Sequence, residues 1–382
     1  MSEPTNAGSA PHTAAPTLTF RGGGWVIVLS GLLVLFVIVW GMLGPLLGRR
    51  PTGDGRTLES YQFDLSTLLI PRESLTPSGN PRGFLSSLDH PLHLRGAEML
   101  VYNEQNRPKY VVTTDRVIGI TVNGQFHAWP LSMMNAHEVV NDTVGGMPVV
   151  ATYSPLCDAA VVFDRRVAGS TRQFEVSGLL VDSNLVFCDK SVEGSDQANH
   201  AASLFLQLES RAIAGPLAAS GVTLQALPNV CITTWADWLA AHPDSTVTLR
   251  DPAMIRRMKE ISYARYFLTP PLEYPAAPVP TPEELAASGL RLKSPMIALR
   301  LGSGWKVVAI EPLAALPGAS TEGVALRVDG VDFLFHAAPG FGAGRLQRLD
   351  GQDLESLPCL YFALTAVRGV TERVAVPSLP TS

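Results

Sequence analysis

The sequence has few cysteines, and this shortage excludes several kinds of site. The four cysteines, Cys157, Cys188, Cys231 and Cys359, are widely separated in a chain of 382 residues. No CxxC pair occurs, so the usual zinc-knuckle spacings and a thioredoxin-type motif are excluded. One long-range disulfide is compatible with this count in an oxidising compartment. We favour four unrelated and mostly buried thiols.

The chain also lacks clusters of positive charge. Its 29 Lys and Arg residues are interspersed with 34 Asp and Glu residues, giving a net charge of −5. A nucleic-acid surface needs concentrated basic side chains, so we predict no nucleic-acid partner. Proline (30) and glycine (33) are plentiful, which favours a loop-rich, mainly β or α+β fold over a helical bundle.

Charged residues are missing altogether between Arg21 and Arg49. A helix of roughly 20 apolar residues spans a bilayer core of ~30 Å, and Trp25 and Trp40 would lie near its two interfaces. The pattern predicts a single transmembrane anchor at residues 22–48, with the membrane as a partner. Residues 1–21, which are almost uncharged, predict a disordered tail.

The rest of the chain divides by composition into four segments. Residues 49–95 predict a tether whose apolar patch at 65–70 docks on the domain, and residues 96–249 predict a first β-rich copy. Residues 250–294 predict a basic and Pro-rich connector, and residues 295–378 predict a second, degenerate copy. Helices are predicted at residues 131–140 and 234–241, the second with Thr234 as N-cap and Asp237 as its third residue.

Residues 117–190 alternate apolar runs with Asn-Gly, Gly-Gly and Pro turns, a pattern typical of linked β-hairpins. Residues 295–313 repeat the pattern of residues 116–131, and residues 324–339 repeat that of residues 141–155. Two such copies predict one pseudo-symmetric globular unit in which the hairpins share a core. The second copy keeps His336 but has no counterpart of His137, Glu138 or Cys157.

Several motifs in the first copy resemble one known family. They are the segments His137–Asp142, Tyr153–Asp158 and Phe174–Leu180, with Gly215-Pro216, the run from Thr234 to Trp238 and His242-Pro243. Together they resemble the uncharacterised bacterial and archaeal family catalogued as domain of unknown function 3179, over roughly residues 80–378. This resemblance implies a fold and no established activity.

The chain departs from the family pattern at several positions. Ser154 occupies the position where the resemblance implies a first cysteine. Asp158 and Glu175 occupy two positions where it implies glycine. Residues 203–207 depart from a Ser-Leu-Trp-x-Gln element, after an apparent insertion at residues 192–202. The substitutions fall on positions where chemistry would be expected.

The side of the membrane on which the domain lies is predicted from two opposing features. Arg49, Arg50 and Arg56 follow the apolar stretch and favour a cytoplasmic domain under the positive-inside rule. The preceding tail is short and almost uncharged, and the family resemblance suggests exported domains. We predict an extracytoplasmic domain.

The potentially reactive side chains are concentrated in the first copy, and we considered two chemical hypotheses for them. These residues are His137, Glu138, Asn141, Asp142, Tyr153, Ser154, Cys157, Asp158 and Ser177. In the first hypothesis Cys157, His137, Glu138 and Asp142 bind zinc or copper, because thiolate, imidazole and carboxylate are the usual ligands of those metals. In the second, Cys157 is a catalytic nucleophile activated by His137, with Asp142 or Glu138 orienting the ring.

A third hypothesis is structural, and it is the one we favour from the sequence. His137 and Asn141-Asp142 would cap a helix and a turn, and Cys157 would be a small core hydrophobe. The prediction is then a non-catalytic binding or scaffolding module at the membrane surface, with a protein partner as one option. The alternative is a metal- or thiol-handling protein or enzyme that uses Cys157 and His137.

Overall fold

The structure is a computed structural model of the chain, and it describes residues 24–46, 52–190, 201–250, 261–302 and 304–369. Side chains of the first helix are described as far as Trp40. The predicted tail at residues 1–21, most of the apparent insertion at 192–202, and Arg256, Arg257 and Lys259 of the predicted connector lie outside the described residues. The chain divides into two compact units between Pro51 and Thr52.

The helices of the described residues are short apart from the first. They are α1 (Gly24–Leu46), α2 (Gly96–Gln105), α3 (Leu131–His137), α4 (Pro216–Ala219), α5 (Trp235–Ala241), α6 (Ala264–Leu268), α7 (Pro282–Ser288), α8 (Ile310–Ala314) and α9 (Tyr361–Arg368).

Most of the second unit consists of strands. They are β1 (Leu75–Pro77), β2 (Leu88–Asp89), β3 (Leu92–Arg95), β4 (Arg116–Val122), β5 (Gln125–Pro130), β6 (Val139–Val144), β7 (Met147–Ser154), β8 (Ala159–Asp164), β9 (Arg166–Val167), β10 (Ser170–Thr171), β11 (Phe174–Val181), β12 (Asn184–Asp189), β13 (Leu204–Leu206), β14 (Arg211–Ala214), β15 (Cys231–Thr234), β16 (Thr246–Leu249), β17 (Pro295–Leu301), β18 (Gly304–Ala309), β19 (Val324–Val328), β20 (Val331–Ala337), β21 (Gly344–Arg348) and β22 (Ser356–Leu360). The prediction of a β-rich α+β fold is confirmed.

Two-residue turns join several of these strands into hairpins. Asn123-Gly124 and Gly145-Gly146 connect β4 to β5 and β6 to β7, and all four residues have positive φ. Asp182-Ser183 connects β11 to β12 in the same way, also with φ positive at both residues. A two-residue turn with positive φ at both positions matches the right-handed twist of the strands that it joins. The hairpins predicted within residues 117–190 are therefore present.

Within the residues that the structure describes, the strands form five sheets. Eight strands lie in the order β19-β20-β21-β15-β4-β5-β16-β3, and five in the order β1-β11-β12-β13-β14. The others are β2-β6-β7-β8, β18-β17-β22 and the pair β10-β9. Strand β4 pairs with β5 and β15, and strand β17 pairs with β18 and β22, all antiparallel. A helix follows each of the strands β5, β15, β18 and β22.

Buried apolar side chains form three clusters within the described residues. The largest combines residues of the first half, such as Phe163 and Phe187, with residues of the second half, such as Met296 and Phe362. Leu65, Leu68 and Ile70 of the predicted docking patch pack against this cluster. A second cluster lies around Trp129 and a third around Phe333.

The helix predictions can be compared residue by residue. Helix α5 begins where the sequence predicts, and Oγ1 of Thr234 accepts a hydrogen bond from the backbone N–H of Asp237 at 3.3 Å. Helix α3 begins at Leu131 as expected but ends at His137, three residues early. It ends there because Glu138 adopts a left-handed conformation, with φ of 56°.

The prediction of a transmembrane anchor at residues 22–48 needs correction. Among the residues that the structure describes, no helix is both long enough and apolar enough to cross a membrane. The transmembrane helix in the predicted fold class is therefore not supported, and the membrane is not retained as a partner.

Candidate functional site

The motif segments of the first half meet where α3 ends and β7 ends. Strand β6 pairs with β7 so that Val139 is opposite Thr152, and the backbone N–H of Tyr153 donates to the carbonyl oxygen of Glu138 at 2.8 Å. This register places Glu138 beside Tyr153 and Ser154. Residues from two separate motifs therefore line one region.

Glu138 has the most unusual environment of these residues. Burial raises the pKa of its carboxyl group to about 8. The structure shows no hydrogen bond or ion pair to the carboxyl group from any described residue. A left-handed residue at a helix C-terminus is usually glycine or asparagine, since a side chain there costs about 1 kcal/mol or more. A protonated carboxyl group is thus held in place at neutral pH.

Glu138 lines a cavity of about 190 Å³. The apolar side of this cavity includes Phe84, Leu85, Leu179 and Leu185. Its polar lining consists of Ser78, Asn80, Asn135, Glu138, Ser154, Tyr263, Glu273 and Tyr274. Glu138 and Glu273 supply the two carboxyl groups of the lining. We call this space the Glu138 cavity.

A second cavity of about 530 Å³ shares Asn135, Ile261 and Tyr263 with the first. Arg116 and Tyr153 line this second cavity, and Nη2 of Arg116 forms an ion pair with Oδ2 of Asp158 at 2.6 Å. The Tyr153 hydroxyl donates to the other carboxylate oxygen of Asp158 at 2.6 Å. Burial, together with the negative charge of Asp158, raises the pKa of Tyr153 far above its usual range. Each carboxylate oxygen of Asp158 is therefore already bound by another side chain of the protein.

Cys157 lies in the turn between β7 and β8 and is completely buried. Its thiol donates to the carbonyl oxygen of Ser183 at 3.3 Å, and burial raises its pKa to about 12. A reactive cysteine needs partial exposure and a lowered pKa. The environment of Cys157 is thus that of a core side chain. All four cysteines are free thiols.

His137 is also buried, and burial lowers its pKa. Nδ1 lies 2.6 Å from the carbonyl oxygen of Ser86, so we assign the ring proton to Nδ1. Nε2 is buried without a hydrogen-bond partner among the described residues. No hydrogen bond or ion pair links His137 to Cys157 within the described part of the chain. The structure therefore does not bring together the nucleophile and base of the catalytic hypothesis.

Asp142 lies in a different cluster, which the sequence analysis missed. Nε2 of His93 is 2.9 Å from Oδ1 of Asp142, and Nε2 of His127 is 3.7 Å from Oδ2. Burial raises the pKa of Asp142, but the hydrogen bond from His93 and the nearby imidazoles bring it below its usual value overall. Burial lowers the pKa of His127 to about 3.

The four residues of the predicted metal set do not form one group of possible ligands within the described residues. Within the described part of the chain, one group of possible ligands has atoms close enough to share a metal ion. It consists of His93, His127 and Asp142. Cys157, His137 and Glu138 are not members of it. No sequence motif marks His93 or His127, because only the register of the strands brings them together.

Comparison with known proteins places the chain in a family. The family model described as "Protein of unknown function (DUF3179)" matches residues 99–323, which is more than half of the chain. The chain belongs to this family. No curated protein and no solved structure gives a significant match.

Within the DUF3179 match, the remaining motif residues have structural contacts. Oγ of Ser154 accepts a hydrogen bond from the backbone N–H of Leu185 at 3.3 Å. The side-chain amide of Asn141 donates to the carbonyl oxygen of Phe174 at 2.8 Å, and its oxygen accepts from the Phe174 N–H at 2.9 Å. The hydroxyl of Ser177 bonds to the backbone next to the bulge in β11. These residues hold neighbouring strands together.

Proposed function

We propose that this chain is a small-molecule-binding protein whose ligand occupies the Glu138 cavity. The observation that supports the proposal is Glu138 itself, a carboxyl group without a described partner at a strained backbone position in a cavity wall. Strained residues persist only where the surrounding structure fixes them, and they are common at ligand sites. A cavity with an apolar wall and a few converging polar groups is the usual form of such a site.

The chemistry of the lining points to a small organic cation. Glu138 and Glu273 supply two carboxyl groups, and Phe84, Tyr263 and Tyr274 supply aromatic rings. Aromatic rings and carboxylates together are the groups that recognise ammonium ions. When a cation binds, its charge stabilises the ionised form of Glu138, so the carboxyl group releases its proton.

Choline is a suitable probe because its charge does not change with pH. Isothermal titration calorimetry of the full chain compares choline with its uncharged isostere, in which a tert-butyl group replaces trimethylammonium. We expect choline to bind more tightly than the isostere, and its affinity to increase between pH 6 and pH 9 as Glu138 ionises. In Glu138→Gln the affinity falls at least tenfold and its pH dependence disappears.

The matched control is Glu283→Gln, because Glu283 is an exposed glutamate on α7. This variant keeps the choline affinity of the parent chain. Equal affinity for choline and the isostere, or an unchanged affinity in Glu138→Gln, contradicts the proposal.

A further inference from the structure

Two strands that flank β16 place a pair of histidines side by side. His93 of β3 is opposite Thr248 of β16, and His127 of β5 is aligned with Thr246 of the same strand. The two imidazole rings have their centroids 4.3 Å apart. Asp142 comes from β6, which belongs to another sheet. The cluster therefore forms where two sheets approach each other.

The orientation of the His127 ring is fixed by the threonines of β16. Nδ1 lies 2.7 Å from Oγ1 of Thr246, and the Thr246 hydroxyl itself points to the carbonyl oxygen of Phe126 at 3.4 Å. We assign the ring proton of His127 to Nδ1, with the Thr246 hydroxyl as its acceptor, which leaves the lone pair on Nε2. Nε2 lies 2.8 Å from Oγ1 of Thr248 and 3.7 Å from Oδ2 of Asp142. Metal-binding histidines usually have their second nitrogen held in this manner.

The Asp142 carboxylate is fixed as firmly as the His127 ring. The indole N–H of Trp129 donates to Oδ2 at 2.9 Å, and the backbone N–H of Thr143 donates to Oδ1 at 2.7 Å. The Thr248 hydroxyl lies 3.4 Å from Oδ2. The carboxylate is 2% exposed, so its position and its charge are both protected from solvent.

The possible ligand atoms of the three residues lie within 4.8 Å of one another, which is close enough to share a metal ion. With ligand bonds of about 2.0–2.1 Å, ligand atoms of a tetrahedral zinc site are about 3.3 Å apart. The Asp142 carboxylate lies 2.9 Å from Nε2 of His93 and 3.7 Å from Nε2 of His127. The first distance is shorter and the second is longer than the value of about 3.3 Å expected for tetrahedral zinc. The side chain of His93 is 26% exposed, so the cluster is open to solvent on one side.

We propose that His93, His127 and Asp142 form a binding site for a divalent transition-metal ion, with zinc as the ion that fits best. Two imidazole nitrogens and one carboxylate oxygen are a donor set that zinc accepts, and three protein ligands leave a fourth position for water or a ligand. The proposal does not depend on the function proposed for the Glu138 cavity, since none of these three residues lines that cavity.

The test is a calorimetric titration of the full chain with Zn²⁺ after the removal of metal with EDTA. We expect one Zn²⁺ per chain for the parent and at least tenfold weaker binding for His93→Gln. His93 is partly exposed, so the variant is expected to fold, which circular dichroism verifies. His336→Gln is the matched control, because His336 is another partly exposed strand histidine and lies outside the cluster. It keeps the parent affinity.

Substitution with Co²⁺ gives an independent measurement. The parent chain develops visible d–d absorption that reports the coordination geometry, and Asp142→Asn, which keeps the shape of the side chain, loses this absorption. The proposal is overturned if the parent chain binds no Zn²⁺. It is also overturned if His93→Gln binds Zn²⁺ as tightly as the parent chain does.

Discussion

The thiol of Cys157 donates a hydrogen bond to the carbonyl oxygen of Ser183 at 3.3 Å, inside the largest hydrophobic cluster. With a pKa of about 12, only about one thiol in ten thousand is ionised at pH 8. We predict that iodoacetamide leaves Cys157 unmodified in the native chain at pH 8, as measured by peptide mass mapping. Labelling in guanidinium chloride is the control. Rapid native labelling of Cys157 would restore the nucleophile hypothesis.

The stability of the chain should depend on the protonation of Glu138. Its pKa is about 8 in the folded chain and 4.5 in the unfolded chain, so the folded state binds the proton more tightly. This contribution to stability is complete below pH 4.5 and is lost as the pH rises through 8. The full difference is on the order of 5 kcal/mol. Glu138→Gln, studied by urea denaturation, should lose less stability than the parent between pH 5 and pH 9.

Glu283→Gln is again the control for this experiment, because Glu283 is exposed. It should follow the parent at every pH. Parallel pH dependence of the parent and Glu138→Gln would mean that Glu138 is ionised in the folded chain at neutral pH.

Gly178 allows the bulge of β11 to pack closely against the segments that precede and follow β1. Its φ is +81°, and a Cβ atom there would lie 2.7 Å from Cε1 of Tyr61 and 2.9 Å from the carbonyl oxygen of Asn80. We predict that Gly178→Ala destabilises the chain by about 1–3 kcal/mol more than Gly146→Ala does. Gly146 has a φ of +74° and no neighbouring atom within 4 Å of an added Cβ. Urea denaturation measures the free energy of unfolding of both variants. Equal losses of stability in Gly178→Ala and Gly146→Ala would show that backbone strain alone is responsible.

Lys293 holds the chain around α6 through hydrogen bonds to backbone carbonyl groups. Its ammonium group donates to the carbonyl oxygens of Tyr266 and Thr269 at 2.8 Å and of Pro271 at 2.7 Å. Lys293→Met leaves these three carbonyl groups without their donor, so we predict a loss of about 3 kcal/mol in the free energy of unfolding. Lys109→Met, at an exposed lysine, should change stability by less than about 0.5 kcal/mol. Similar values for the two variants would disprove this role.

The fold could be predicted where local chemistry determines the backbone. The Asn123-Gly124 and Gly145-Gly146 turns and the Thr234 cap have sequence signatures, because particular residue types favour positive φ or accept the free N–H groups of a helix. The Asp182-Ser183 turn has the same geometry without a glycine, so its sequence does not identify it. The early end of α3 was missed for the same reason, since glutamate is an unusual residue at a left-handed position.

The candidate sites were less predictable than the fold. Cys157 and His137 attracted attention through their side-chain chemistry, but burial and hydrogen bonding decide what a thiol or an imidazole does. Glu138 was named only as a metal ligand or an orienting carboxylate, because its isolation in a cavity depends on elements distant in the sequence. His93 and His127 meet through the register of β3, β16 and β5, and pairing register over more than 100 residues cannot be read from one sequence.

The position of β15 in the eight-stranded sheet has a consequence for synthesis on the ribosome. One side of β15 pairs with β4, which is made earlier, and the other side pairs with β21 through Ile232 and Gly344, roughly 110 residues later in the chain. At about 5–20 residues per second, this second partner emerges some 5–20 seconds after β15. During that interval one edge of β15 has unpaired backbone groups that attract other strands. The nascent chain therefore passes through a period in which it is vulnerable to aggregation and in which chaperones would be of most use.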